Sequence, residues 1–324
     1  MSHHEWRHAL KRFKNILVVL NDDGLSEAVL ARAKWLAQAN DAKLTLFAVK
    51  ETKKLDLDWI VANLPGRGAE DLGTRVDAAL DADARRAAAD LAANGADVDT
   101  VVAAGVAFVE TIRQVLSNDH DLVLKGAEQS FDWRTLGGAD LHLLRKCPCP
   151  VWILKSGGEP SAQRIMAAVD PDPDDAGRDD LNHKVMQLAT SLAVQDSASL
   201  DVLNAWHLYA EHLLRSHHGR TSPEDVDALL EETRRKSRVR LDALISGYTS
   251  VVPELDVLHI KGEPADVIVH HVEEQRIDTL VMGTLGRVGI PGMFIGNTAE
   301  SVLTRVECSV LAVKPENFVS PVRL

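Results

Sequence analysis

The sequence predicts an α/β protein made of two tandem, doubly wound domains, each built on a five-stranded parallel sheet. Three observations carry this. Short, apolar, β-branched runs alternate with segments of helical spacing along the 324 residues. The pattern then begins again: Arg164-Ile-Met-Ala-Ala-Val-Asp170 lines up with Asn15-Ile-Leu-Val-Val-Leu-Asn21. Between the copies lies Ser156-Gly-Gly-Glu-Pro160, a linker by composition. The expected domains are therefore residues 1–156 and 157–324, a tandem duplication.

Each element has its own signal. Asn15 to Leu20 reads as a central strand, Asn21 to Gly24 as a turn, and Leu25 to Asn40 as a helix through Ala28, Val29, Ala31, Trp35 and Leu36. Lys43 to Val49 is a second strand. Glu51 to Gly73 is polar and Gly/Pro-bearing, an irregular segment, and Val76 to Ala93 is an Ala-rich helix stopped by Asn94-Gly95. Val98–Ala103, Phe108–Leu116, Asp121–Leu124, Ala139–Leu144 and Val151–Lys155 continue strand, helix, strand, helix, strand. In the second copy, strands are expected at Arg164–Asp170, Leu200–Trp206, Leu255–Ile260, Thr279–Met282 and Val310–Lys314, with helices at Glu224–Leu244 and Ala265–Val272. An exposed apolar edge strand is an aggregation hazard. The two halves are therefore expected to pair through their closing strands, Val151–Lys155 and Val310–Lys314, and a homodimer is possible.

Bulk composition narrows the function. Aromatic residues make up only 4% of the chain, so the cores must be built from Ala, Val, Leu and Ile. No apolar run approaches the ~20 residues of a membrane helix. The first fifteen residues are polar and rich in His, Lys and Arg, without the apolar centre of a signal peptide, which reads as a cytoplasmic start. The net charge is −12 and unevenly shared: 20 basic and 22 acidic residues through Gly157, 16 and 26 beyond it. So acidic a second half argues against nucleic acid. An anion bound there must be held by local amides rather than by the overall field. Cysteines 147, 149 and 308 are too few for a disulfide framework, and each copy has one entering its last strand, which favours buried, reduced thiols.

The most informative stretch is Asp278 to Lys314. Its strand ends at Gly283, glycines follow at 286, 289, 292 and 296, and helical spacing resumes through Ala299, Val302, Leu303 and Val306. Asn297 and Thr298 are candidate caps, and Glu300 lies where a capping box wants it. Glycines let backbone amides approach a ligand, and a helix N-terminus adds unpaired N–H groups, so the order strand, glycine loop, helix suits phosphate oxygens. By spacing alone it suits a plain glycine linker equally well.

Gly283-Thr-Leu-Gly286, nine residues, then Gly296-Asn297-Thr298 resembles the nucleotide loop of the universal stress proteins. The tail Glu307 to Lys314 is similar to that family's closing strand, and Gly-Asn-Thr-Ala-Glu to the second half of its tandem, two-domain members; Asn297 departs from the usual Ser or Thr. The resemblance implies a Rossmann-like fold and a stress-response protein that binds ATP or a related nucleotide, with Mg²⁺ as a companion of the phosphates rather than a protein-held metal. It implies that Asp170 faces the adenine and ribose end and that the glycine loop holds the phosphates. The expected binding set is Asp170, Ala205, Met282, Gly283, Thr284, Gly286, Arg287, Gly296, Asn297 and Thr298.

The halves differ here. Counted along the strand, Lys125 falls opposite Gly283 and Glu128 opposite Gly286, with Asn21 opposite Asp170 and Gly137-Gly138 opposite Gly296-Asn297. Side chains where a phosphate nest needs bare backbone predict that the first half has lost the site. No Gly-Lys-Ser or Gly-Lys-Thr occurs, and Arg287 is the only cation in the loop. Binding is thus better supported than hydrolysis; at most the chain is a weak ATPase. No standard zinc spacing appears among the 13 histidines, and the cluster His207, His212, His217, His218 leaves metal binding open. The alternative reading is a nucleotide-independent scaffold, or a binder of another metabolite or lipid precursor in the same crevice.

Overall fold

The computed structural model describes residues 13–21, 24–51, 69–128, 136–155, 161–216, 221–252, 254–284 and 295–324. The chain divides into two compact units, one comprising Lys11–Ser161 with Phe318–Leu324, the other Ala162–Asn317.

In the first unit β1 (Asn15–Val19), β2 (Lys43–Glu51), β3 (Val98–Gly105), β4 (Leu122–Gly126) and β5 (Val151–Leu154) form parallel ladders in the order β3-β2-β1-β4-β5. The helices between them are α1 (Glu27–Asn40), α2 (Ala69–Ala93), α3 (Ala107–Asn118) and α4 (Gly138–Lys146). Buried on both sides, the central strands read as continuous apolar runs: Ile16, Leu17 and Val18 have no exposed surface. Ser26 caps α1, its Oγ accepting the Val29 N–H at 3.3 Å. At the end of α2, Gly95 takes φ +84° and donates to the Ala92 carbonyl at 2.9 Å, as Asn94-Gly95 predicts. That helix starts at Ala69, earlier than expected, so Gly73 sits within it rather than in an irregular segment. One glycine costs about 1 kcal/mol, which a helix this long tolerates. The rest of the expected irregular segment, 52–68, lies outside the described residues.

The second unit repeats the plan with β6 (Arg164–Ala168), β7 (Ser199–Trp206), β8 (Leu255–Lys261), β9 (Thr279–Gly283) and β10 (Ser309–Val313), parallel in the order β8-β7-β6-β9-β10. Its helices are α5 (Ala176–Asp196), α6 (Glu211–Arg215), α7 (Pro223–Ile245), α8 (Pro264–Gln275) and α9 (Asn297–Leu303). The chain steps outward from β6 through β7 to β8, then returns to the other side of β6 for β9. With right-handed crossovers that reversal opens a crevice at the carboxyl ends of β6 and β9.

Helix α5 has no counterpart in the expected elements. It is buried on many sides, by Leu181, Val185, Met186, Leu188, Ala189, Leu192 and Ala193, together with Asn182, Thr190 and Ser191. Apolar residues spread round the circumference leave no single stripe to detect. Among the described residues, no helix is long and apolar enough to cross a membrane.

Candidate functional site

Eight of the ten expected binding residues, Asp170, Ala205, Met282, Gly283, Thr284, Gly296, Asn297 and Thr298, line one cavity of about 780 Å³ in the second unit. The other two, Gly286 and Arg287, lie outside the described residues. The strand ends supply the floor, since β6, β7 and β9 finish side by side. A Cβ at Gly283 would fall 2.7 Å from Leu181 Cδ2, so a larger residue there would displace Leu181, which itself lines the cavity.

The two ends of the glycine loop are tied together. Thr284 donates its N–H to the Val313 carbonyl at 3.1 Å, and its own carbonyl accepts the Gly296 N–H at 2.8 Å. The buried Lys314 ammonium donates to the Thr284 hydroxyl. The helix that follows starts differently from the expectation. Gly296 is the residue before α9 and makes no side-chain cap, while Asn297 is already helical, so the Asn297–Glu300 capping box does not form. A residue inside the first turn cannot turn its side chain back onto the N–H groups a cap satisfies.

Asp170 is held at its N–H, its carbonyl and one carboxylate oxygen. Asn182 of α5, itself buried, accepts the Asp170 N–H at 2.8 Å and donates to its carbonyl at 2.9 Å. Arg178, one turn earlier, donates to Asp170 Oδ2, and to Asp172 Oδ2 at 2.8 Å. Asp172 in turn lies 3.1 Å from Arg240 on α7, which reaches Asp174 at 2.7 Å. The cavity wall from α7 presents Thr233, Lys236, Ser237 and Arg240. Three cations not among the expected binding residues therefore border the crevice, each paired with a carboxylate: Lys236 lies 3.3 Å from Glu232. The spacing 233, 236, 237, 240 is one helix face, a signal present in the sequence but shared with any solvated helix. Arg178 and Asn182 carried no such signal once α5 was missed.

Behind that wall, Ser237 donates to Asn204 Oδ1 at 2.8 Å, and Asn204 donates to the Val169 carbonyl at 2.9 Å. His259 Nε2 lies 3.0 Å from the Ser237 hydroxyl, and its ring stacks on Trp206, another lining residue, at 5.6 Å. Burial pushes the His259 imidazole below its usual range, and Arg238 and Arg234 add to this. His271 is buried against Asp201 at 2.8 Å, a packing role.

The first unit corrects the expected equivalences. Val19 pairs with Lys125 and Ala168 with Met282, so Lys125 corresponds to Met282, and Gly126, one residue on, to Gly283. The bond from Ala127 N–H to Leu154 matches that from Thr284 to Val313, fixing the same register. Counting without the sheet slipped by one. Lys125 does not enter the loop; it is buried and donates to Asp140 Oδ1 at 2.8 Å. Asp140 Oδ2 accepts the Glu128 N–H at 2.8 Å. The Glu128 carboxylate turns onto the N-terminus of α4 and accepts the Ala139 N–H at 3.2 Å. A Cβ on Gly137 would come within 2.1 Å of Glu128 Oε2, so glycine is what admits it. A carboxylate of the chain thus takes the helix end that an external anion would need. Asn21 donates to the Gly126 carbonyl at 3.2 Å rather than facing a crevice.

All three cysteines are free thiols. Cys147 and Cys149 lie 3.6 Å apart at sulfur, a contact that with burial pushes the Cys149 thiol well up. His207 and His212 share no cluster of three potential ligands among the described residues, and His217 and His218 lie outside them.

The profile of the Universal stress protein family matches residues 12–155 and again 161–314. Universal stress protein E of Escherichia coli (strain K12) is 31% identical over 222 residues, 67% of this chain and 68% of that one. Universal stress protein E of Photorhabdus laumondii is 24% identical over 97% of this chain and 99% of its own. The crystal structure of a putative universal stress protein from Pseudomonas aeruginosa superposes with a TM-score of 0.70 at 23% identity, covering 95% of this chain and 96% of that one.

Proposed function

The chain belongs to the universal stress protein family as a tandem, two-domain member, and from that premise we propose that its second half binds ATP or a related adenine nucleotide, acting as a sensor or interaction module in stress. The observation that carries the proposal is the gathering of Asp170, the strand-end residues Ala205 and Met282, and the glycine-loop ends on one cavity. Its volume, about 780 Å³, lies within the range of small-molecule sites. The residues fit such a ligand: apolar lining from Leu181, Val185 and Ile268 beside a carboxylate suits a nucleoside, and small residues around Gly296 leave room for phosphates. Mg²⁺ would accompany the phosphates as their counter-ion rather than be held by the protein. The first half is proposed to bind none, because Glu128 occupies the end of α4.

Calorimetric titration of the whole chain with ATP and Mg²⁺ should give one site. Gly286→Glu should abolish it through bulk and charge, and Asp170→Ala should weaken it by about 1 kcal/mol, one hydrogen bond. No heat from a folded chain, or two equal sites, would overturn the reading. Pairing of the two halves and a homodimer belong to the same proposal on the edge-strand argument; sedimentation of the whole chain tests the dimer.

A further inference from the structure

We propose that Arg178 is a specificity-determining residue that competes with the ligand for Asp170 and so weakens recognition of a ribose diol. The inference rests on the nucleotide reading and goes beyond it, since it predicts that the chain restrains its own site. Arg178 lies on the first turn of α5, lines the cavity, and is only 21% exposed at the side chain. Its guanidinium occupies Asp170 Oδ2 and is anchored from the other side by Asp172 at 2.8 Å. Asp175 fixes the turn that carries it, accepting the Arg178 N–H at 3.2 Å. The cation is therefore held between two carboxylates, and a third fixes the backbone that carries it.

Asp170 itself is open to the crevice, its side chain 75% exposed. An ionised carboxylate with an open face is suited to accept from ribose hydroxyls. A vicinal diol offers two donors and a carboxylate two oxygens, so a free Asp170 would take both. With Arg178 on Oδ2, one oxygen is committed. Asn182 already engages the main chain of Asp170, accepting its N–H and donating to its carbonyl, so the carboxylate is the acceptor most open to the crevice. A diol must share Oδ2 with the guanidinium or settle for one bond.

The test uses the whole chain and two neutral probes, adenosine and 2′,3′-dideoxyadenosine, so that attraction of Arg178 for phosphate does not enter. Arg178→Met keeps most of the bulk and removes the charge. Adenosine should bind about three- to fivefold more tightly to the variant, the scale of an exposed ion pair, while dideoxyadenosine is unchanged. In the unaltered chain, raising salt from about 20 mM to about 300 mM should tighten adenosine through screening of the pair, and the variant should lose that dependence. The salt series keeps the idea testable if Arg178→Met folds poorly. Equal changes for both probes, weaker adenosine binding by the variant, or a salt response that survives the substitution would each overturn it. If ATP binds while adenosine behaves in one of these ways, only this inference falls. If no adenine ligand binds the folded chain at all, the nucleotide reading falls and takes it along.

Discussion

Lys125 and Asp140 form a buried ion pair in the first half at the positions that Met282 and Ala299 fill in the second. Removing one partner alone leaves an uncompensated charge, so Lys125→Met should cost about 3–5 kcal/mol. The double variant Lys125→Met/Asp140→Ala copies the second half's apolar solution and should recover most of that loss. Urea midpoints of the three proteins check it, and a double variant as unstable as the single one would refute it. The recovery has one limit: Asp140 also accepts the Glu128 N–H, so some loosening around that residue should remain.

At the scale of elements, α5 decides the crevice. Its N-terminus is set by Asp175, and Asp175→Ala should destabilise the second half by about 0.5–2 kcal/mol, as loss of a cap does. Asn182→Ala strikes deeper, since it strands the N–H and carbonyl of Asp170 at once. It should cost about 1–3 kcal/mol in thermal or urea unfolding and lower affinity for ATP in the same titration. The strand–helix alternation was legible in the sequence because strands buried on both faces are short apolar blocks, and the two ends of the glycine loop because glycine interrupts the apolar strand and precedes the next helix. Helix α5 was not legible, because a helix buried on many sides has no periodic stripe, and with it Arg178 and Asn182 stayed hidden. The slip that matched Lys125 with Gly283 has a different cause. Equivalence in a sheet is fixed by interstrand register, and a count along one strand alone cannot supply it.

For the whole molecule, three histidines make stability depend on pH in one direction. Burial is the largest influence on each of His120, His142 and His259, and it holds each below the ordinary value of 6.5. The unfolded chain therefore takes up protons first as pH falls. Stability is complete above 6.5 and declines below it, until the folded pKa values are passed. Urea midpoints at about pH 7.5 and about pH 5.5 should show the decline, and His120→Gln should flatten part of it. A midpoint that rises on acidification over that interval would contradict the assignment. His259 also borders the cavity wall through Ser237, so His259→Gln should flatten its own share while leaving Ser237 a polar neighbour.

The closeness of Glu128 to Gly137 also fixes the order in which the first half can change. Any side chain at 137 would collide with the carboxylate, whereas shortening residue 128 collides with nothing. Mutational paths out of the present state therefore pass through position 128 first, and glycine at 137 is held in place by a neighbour rather than by a ligand. Two glycines that match in the alignment of the halves, 137 and 296, each precede a helix, and at 137 that place is constrained by a carboxylate of the chain itself.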